Sequence, residues 1–219
     1  MTHFKIKIMD NLTDKINQYC EAHSTPENAI LQELVRETHL KTLVPRMLSG
    51  HLQGRFLSLI SHLMKPQHIL EIGTFTGYAA LCLAEGLGKT GILLTIEGND
   101  ELEPIIKKHI EKSGYDYKIK SIMGDALKII PDLVETFDLI FIDAGKRDYP
   151  VYYDICIEKI RSGGLIIADN VLWSGKVVAE KKDTDTQILD DFNKKVSTDP
   201  RVECLLLPLR DGLMIARKK

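Results

Sequence analysis

Two short segments carry the residues best suited to chemistry. One reads FIDAGKRDY, with Asp143 followed three residues later by Lys146; the other reads IIADN, with Asp169 and Asn170 adjacent. Each closes an apolar run of the kind that forms a buried strand. Neighbouring strands would bring two carboxylates and an amide together at one end of a sheet. Carboxylates that close repel and desolvate each other unless a proton or cation lies between them. Hard oxygen ligands without His or Cys suit Mg²⁺, Mn²⁺ or Ca²⁺ rather than Zn²⁺. Taken singly, these residues read as two helix caps and a surface lysine. Their joint placement is what points to a site.

Upstream lies a glycine loop, Glu71-Ile72-Gly73-Thr74-Phe75-Thr76-Gly77. Its two glycines let the backbone turn tightly and approach a ligand. It matches neither the GxGxxG dinucleotide fingerprint nor the GK[ST] of a phosphate loop. The next apolar run ends in Glu97, about twenty positions after the glycine turn, where a carboxylate can accept hydrogen bonds from both ribose hydroxyls. That supports an adenosine ligand without choosing between a nicotinamide cofactor and S-adenosylmethionine. Further on, Gly124-Asp125-Ala126 follows a third run. Asp125 could cap the next helix, bond an adenine amine, or do both.

The elements that must position these residues alternate in type. Short Ile/Leu-rich runs occupy 68–72, 91–96, 117–122, 137–143, 164–169, 202–207 and 213–216. Amphipathic stretches separate the first five, at 77–87, 99–114, 125–135 and 148–161. Such alternation predicts a parallel sheet covered on both faces, with ligands beyond the carboxyl ends of the strands. Only PLRDG joins the last two runs, too short for a parallel crossover, so they should form an antiparallel hairpin. Residues 1–64 read as N-terminal helices serving as a cap or a dimer contact; residues 65–219 read as a Rossmann-like core of the same single domain. Thr25-Pro26-Glu27 looks like a helix start. Ala29, Ile30, Leu34, Val35 and Leu40 form its apolar stripe. A third helix over His51–Met64 should present Leu52, Phe56, Leu59, Ile60 and Leu63 on one face.

Composition removes several classes. Net charge is −2 with no basic block, which argues against binding a nucleic-acid backbone. No apolar run reaches the roughly 20 residues of a membrane span. The start, MTHFKIKIMD, has no apolar signal region. Cys20, Cys82, Cys156 and Cys204 are scattered and form no CxxC pair, so four reduced thiols in a cytoplasmic enzyme are expected.

LEIGTFTGY (70–78), Glu97, IDAGKRDY (142–149) and ADNVLWSG (168–175) together resemble the cation-dependent O-methyltransferases. That group contains catechol O-methyltransferase, the caffeoyl-CoA O-methyltransferases and many bacterial relatives. The likeness runs from about Leu43 to the C-terminus, and the ending PLRDGLMIARK is similar to the bacterial and caffeoyl-CoA branch. The resemblance implies an α/β fold of the class I S-adenosylmethionine-dependent methyltransferases. That fold has a seven-stranded, mostly parallel sheet with an antiparallel last strand. It implies S-adenosylmethionine and a divalent cation as cofactors, a small aromatic diol as acceptor and a homodimer. Asp143, Asp169 and Asn170 match the metal ligands and Lys146 the catalytic base. Glu71, Gly73 and Tyr78 belong to the cofactor loop, Glu97 matches the ribose-binding acid, and Gly124, Asp125 and Ala126 lie where the family holds adenine. Asp143 also borders the cofactor. MLSGHLQG (47–54) resembles the segment over the sulfonium, with Met47 and Ser49 as contacts. One departure is Gly145, where catechol O-methyltransferase has an aromatic residue. An aromatic wall for the acceptor must then come from Trp173 or Tyr149. Rival readings fit less well. A metal-independent methyltransferase needs no Asp169-Asn170 pair, a nucleic-acid N-methyltransferase would show NPPY, and a mere binding protein has no use for Lys146.

Overall fold

The apolar runs become strands and the stretches between them become helices in the computed structural model, which describes residues 14–219. The strands are β1 (His68–Ile72), β2 (Ile92–Glu97), β3 (Ile119–Met123), β4 (Phe137–Ile142), β5 (Ile160–Ala168), β6 (Val202–Leu207) and β7 (Leu213–Lys218). Residues 14–22 form helix α1. Helices α2 (Ala29–Lys41), α3 (His51–Met64), α4 (Tyr78–Ala84), α5 (Glu103–Ser113), α6 (Ala126–Asp132), α7 (Tyr149–Lys159) and α8 (Thr184–Thr198) follow. The start of the expected N-terminal helical region, residues 1–13, lies outside the described residues.

The seven strands form one sheet in the order β3-β2-β1-β4-β5-β7-β6. β1 pairs in parallel with both β2 and β4, so the strand order reverses there, and a crevice opens beyond its carboxyl end. β7 runs antiparallel to both β5 and β6. The expected hairpin therefore forms, with its antiparallel strand inside the sheet and β6 at the edge. This is the class I methyltransferase fold that the sequence implied.

Side chains alternate across the sheet and are buried on both faces. Leu70, Ile72, Ile140 and Ile142 pack with Tyr153 of α7 and Phe192 of α8. Ile69, Leu93 and Phe141 pack with Leu34 of α2, Leu57 of α3 and Ile106 of α5. Among the described residues, no helix is long and apolar enough to cross a membrane.

Three readings of the N-terminal helices need correction. Asn28, not Thr25, caps α2, its side chain accepting from the Leu31 amide at 2.9 Å. The buried stripe of α2 is Leu31, Leu34, Glu37 and Thr38, leaving Leu40 exposed. On α3 the buried face is Gln53, Gly54, Leu57, Ser58 and Ser61, while Leu59 and Leu63 face outward. The reason is close approach to α4. A Cβ on Gly54 would lie 2.7 Å from the Tyr78 ring and 2.9 Å from Cys82 Sγ. Only small side chains fit that contact, and the polar ones find partners: Ser61 Oγ donates to the Leu83 carbonyl at 2.6 Å.

Candidate active site

The carboxyl ends of β1, β4 and β5 supply the site. The Asp143 amide donates to the Ile72 carbonyl at 2.8 Å, and the Asp169 amide donates to the Ile142 carbonyl at 2.9 Å. Each aspartate thus sits one step past the end of the preceding strand in the sheet, on the crevice side. Asp169 is 1 % exposed. Its two oxygens are both held: Oδ1 accepts from the Asn170 amide at 2.6 Å and Oδ2 from Gln53 Nε2 at 2.7 Å. Burial, and then the charge of Asp143, push its pKa up to about 6. Asn170 takes the left-handed backbone, φ 58°, which asparagine tolerates better than most residues.

Lys146 Nζ donates to Asp143 Oδ1 at 2.9 Å and to Tyr149 Oη at 2.7 Å. The Tyr149 hydroxyl reaches the carbonyls of Ile142 and Asp169, at 3.2 and 3.0 Å. A phenol has one proton. Spent on a carbonyl, it leaves only lone pairs for the lysine. Burial raises the Tyr149 pKa, which keeps the phenol neutral. This corrects the sequence expectation for Tyr149. Its ring is fully buried against Phe192, so it holds Lys146 and offers no wall to an acceptor. Trp173 is half-buried with φ 50° and packs part of its surface on the core.

The glycine loop lies beside this cluster. Gly73 has φ 95°, and a Cβ there would fall 2.1 Å from the Asp143 carbonyl oxygen. Glu71 beneath the loop is fully buried. One carboxyl oxygen accepts from Thr95, whose hydroxyl also meets that of Thr74 at 2.5 Å. The other oxygen finds no partner among the described residues. Burial raises the Glu71 pKa to about 8, with the charges of Asp143 and Glu97 adding to the effect. Glu97 accepts from the amides of Phe75 and Asn99, at 2.7 and 2.9 Å. A carboxylate has about four acceptor positions, so two remain. The Gly124 amide donates to the Glu97 carbonyl at 2.8 Å, Asp125 caps α6 through the Leu127 amide at 3.0 Å, and Ala126 opens that helix. Capping is the role of Asp125 visible in the contacts.

Met47, Ser49, Gly73, Phe75, Tyr78 and Asp143 line one cleft. The Tyr78 hydroxyl points out of it, to Glu27. The donor set fits the groups the sequence implied. Two acids in mutual repulsion and a neighbouring amide suit a hard cation, while an unpartnered buried acid, a glycine cradle and a half-used carboxylate suit an adenosine-bearing cation. A different acidic group, Glu33, Glu37 and His109, joins α2 to α5. Lys41, Lys108 and Lys112 already neutralise it, and its ionic contacts hold Glu37 down at about 2.

The sequence pattern of the O-methyltransferase family matches residues 21–219. The chain belongs to the O-methyltransferase family. Caffeoyl-CoA O-methyltransferase 2 of Populus trichocarpa is 31 % identical over 220 residues, covering 94 % of this chain and 89 % of that one. The SAH-bound Podospora anserina methyltransferase PaMTH1 superposes with a TM-score of 0.88 at 30 % identity, covering 95 % of this chain and 96 % of that one. The Bacillus cereus O-methyltransferase in complex with SAH gives 0.87 at 29 %, covering 94 % and 97 %.

In this O-methyltransferase the structure brings Asp143, Lys146, Asp169 and the cofactor-loop residues together as the motifs implied. Gln53 and Arg210 were missed. The Arg210 guanidinium donates to the Ser49 carbonyl and reaches Gln53 Oε1 at 3.5 Å. The signal that could have found Gln53 is a polar residue on a small-residue stripe (53, 54, 57, 58, 61) of helical period.

Proposed function

We propose that this O-methyltransferase takes its methyl group from S-adenosylmethionine and delivers it to one hydroxyl of a small catechol-like or caffeoyl-type diol. In this reading Asp143, Asp169 and Asn170 hold a divalent cation: Mg²⁺, or else Mn²⁺ or Ca²⁺. The observation that carries it is the joint placement of the Asp143–Asp169 pair and Lys146 beside the Gly73 cradle. The caffeoyl-CoA relatives and SAH-bound neighbours support the acceptor class and the cofactor.

Within the reading each residue has a defined task. Gly73 lets the loop lie against the Asp143 backbone, so that cofactor and acceptor meet. Glu97 offers its two unused acceptor positions to ribose hydroxyls. Glu71 offers its unpartnered oxygen to a positive group of the cofactor. Gly124, Asp125 and Ala126 border the adenine, while Met47, Ser49 and Tyr78 close the cleft. Lys146 Nζ accepts the acceptor's hydroxyl proton, steadied by Tyr149 Oη, which has no proton to give it. When bound, the cation would supply Lewis acidity and a template for a vicinal diol. The charges of phenolate and sulfonium cancel as the methyl moves, so positioning and exclusion of water dominate the rate.

Exposed Leu59 and Leu63 on α3, with Leu40 and Leu43 nearby in sequence, support a homodimer through the N-terminal helices. Four unpaired cysteines support a reducing, cytoplasmic setting. The reading is tested by incubating the enzyme with labelled S-adenosylmethionine and a panel of catechols, caffeoyl esters and flavonoids. Labelled monomethyl ethers of vicinal diols are expected. Label found only on acceptors without a vicinal diol would refute it.

A further inference from the structure

The segment over the cleft and the aspartate cluster are tied by a route that no sequence motif announced. Gln53 lies on the buried face of α3 and is fully buried. A buried amide must find partners, and this one donates to Asp169 Oδ2 at 2.7 Å, across 116 residues of chain. The Asn170 amide holds the other oxygen at 2.6 Å. With one bond on each oxygen, the plane of the carboxylate is fixed, and each oxygen keeps a lone pair for another partner.

Gln53 is itself braced. Arg210, in the turn between β6 and β7, reaches Gln53 Oε1 and bonds the Ser49 carbonyl. That turn also holds the loop after Asp169. The Val171 amide donates to the Gly212 carbonyl, the Leu172 amide to the Asp211 carbonyl, and the Ser174 amide to Asp211 Oδ1. Gly212 has φ 89°, and a Cβ there would meet Leu172 at 2.4 Å, so the turn and the loop are fitted to each other. The turn thus meets both the cover segment (47–54) and the loop (170–175), and Gln53 bridges them at Asp169.

We propose that Gln53, braced by Arg210, is a positioning residue that orients the Asp169 carboxylate for the divalent cation, making α3 part of the metal site. This rests on the cation reading above. Partners of metal ligands commonly account for about 10–100-fold in metal affinity. Gln53→Met keeps the side-chain length and apolar packing and deletes the bond to Asp169. Arg210→Met, at an exposed residue, deletes the brace on Gln53 together with the bond to the Ser49 carbonyl and leaves the core untouched.

The experiment titrates Mn²⁺ by electron paramagnetic resonance into wild type, Gln53→Met, Arg210→Met and the double variant. S-adenosylhomocysteine binding without metal is measured in parallel by calorimetry. Gln53→Met is expected to weaken Mn²⁺ binding about tenfold while metal-free nucleoside affinity changes less than twofold. Arg210→Met should weaken both, because it also releases the Ser49 carbonyl. The double variant should bind Mn²⁺ no more weakly than Gln53→Met alone, because both act through one contact. A Gln53→Met protein that fails to fold leaves the decision to Arg210→Met, whose unchanged Mn²⁺ affinity would overturn the proposal. Wild-type Mn²⁺ affinity in a folded Gln53→Met overturns the proposal alone. Absence of Mn²⁺ binding in the wild type overturns the cation reading and the proposal with it.

Discussion

Replacing Glu71 by Gln should shift the stability of the ligand-free protein in the variant's favour as pH rises. Glu71 is fully buried, and its pKa is raised from 4.5 to about 8, by burial first and then by the charges of Asp143 and Glu97. The folded state therefore binds this proton more tightly than the unfolded chain. Wild-type stability should fall as pH rises from about 4.5 towards 8. At about 1.4 kcal/mol per pKa unit, the folded state carries a burden of roughly 1 kcal/mol at pH 5 and roughly 4 kcal/mol at pH 8. An amide cannot ionise, so the variant escapes that burden. It also places an NH₂ where Oε1 has no partner, at a cost of about 1–3 kcal/mol that does not depend on pH. The pH-dependent part is thus the clean readout. Urea denaturation of both proteins at pH 5, 6, 7 and 8 gives the stability gap, and titrating groups that do not interact with Glu71 cancel in the difference. The gap should shift by about 3 kcal/mol in favour of the variant between pH 5 and pH 8. A gap that stays constant across that range would refute the reasoning, because Glu71 would then ionise in the fold as it does in the unfolded chain.

Three other perturbations follow from the same geometry. Lys146→Ala should lower kcat by about 10²–10⁴-fold with little change in acceptor affinity, and Lys146→Arg should not restore the rate, because a guanidinium stays protonated. Substantial activity in the arginine variant at neutral pH would exclude the general-base role. Glu97→Ala, read by calorimetry, should weaken S-adenosylmethionine binding by about 10- to 100-fold, the worth of a charge-assisted bond of about 1.5–3 kcal/mol. The proposed homodimer is checked by light scattering: wild type should have the mass of a dimer and Leu59→Glu with Leu63→Glu that of a monomer, while a monomeric wild type would refute the dimer and an unchanged dimeric mass in the variant would refute this contact.

The core of the sheet was legible because its strands are buried on both faces. Runs such as HILEI and FDLIFI are then apolar apart from His68 and Asp138 near their starts and the buried Glu71, and their carboxyl ends lead into the polar residues of the site. The glycine loop was legible for a related reason, since only glycine allows the approach of position 73 to the Asp143 backbone. The buried face of α3 was misread. Apolar residues mark the core side of an ordinary amphipathic helix, but here the close contact with Tyr78 and Cys82 selects Gly54, Ser58 and Ser61, and pushes Leu59 and Leu63 out. Thr25-Pro26 resembled a helix start, yet the side chain that accepts the orphan amide is Asn28. Gln53 and Arg210 could not be placed at all, because their contacts span 116 and 157 residues and nothing local signals them. Tyr149 was noticed for its ring, whereas the fold uses its hydroxyl.

Cation dependence is the central claim, and one measurement addresses it most directly. Turnover of a single catechol acceptor is followed in enzyme stripped with chelator and then titrated with Mg²⁺, for wild type and Asp169→Asn. Wild-type activity should vanish on stripping and return with Mg²⁺, while Asp169→Asn stays inactive at any Mg²⁺ concentration and still binds S-adenosylmethionine. Fully stripped wild-type enzyme turning over at its original rate would contradict the account and give the Asp143–Asp169 pair some other task.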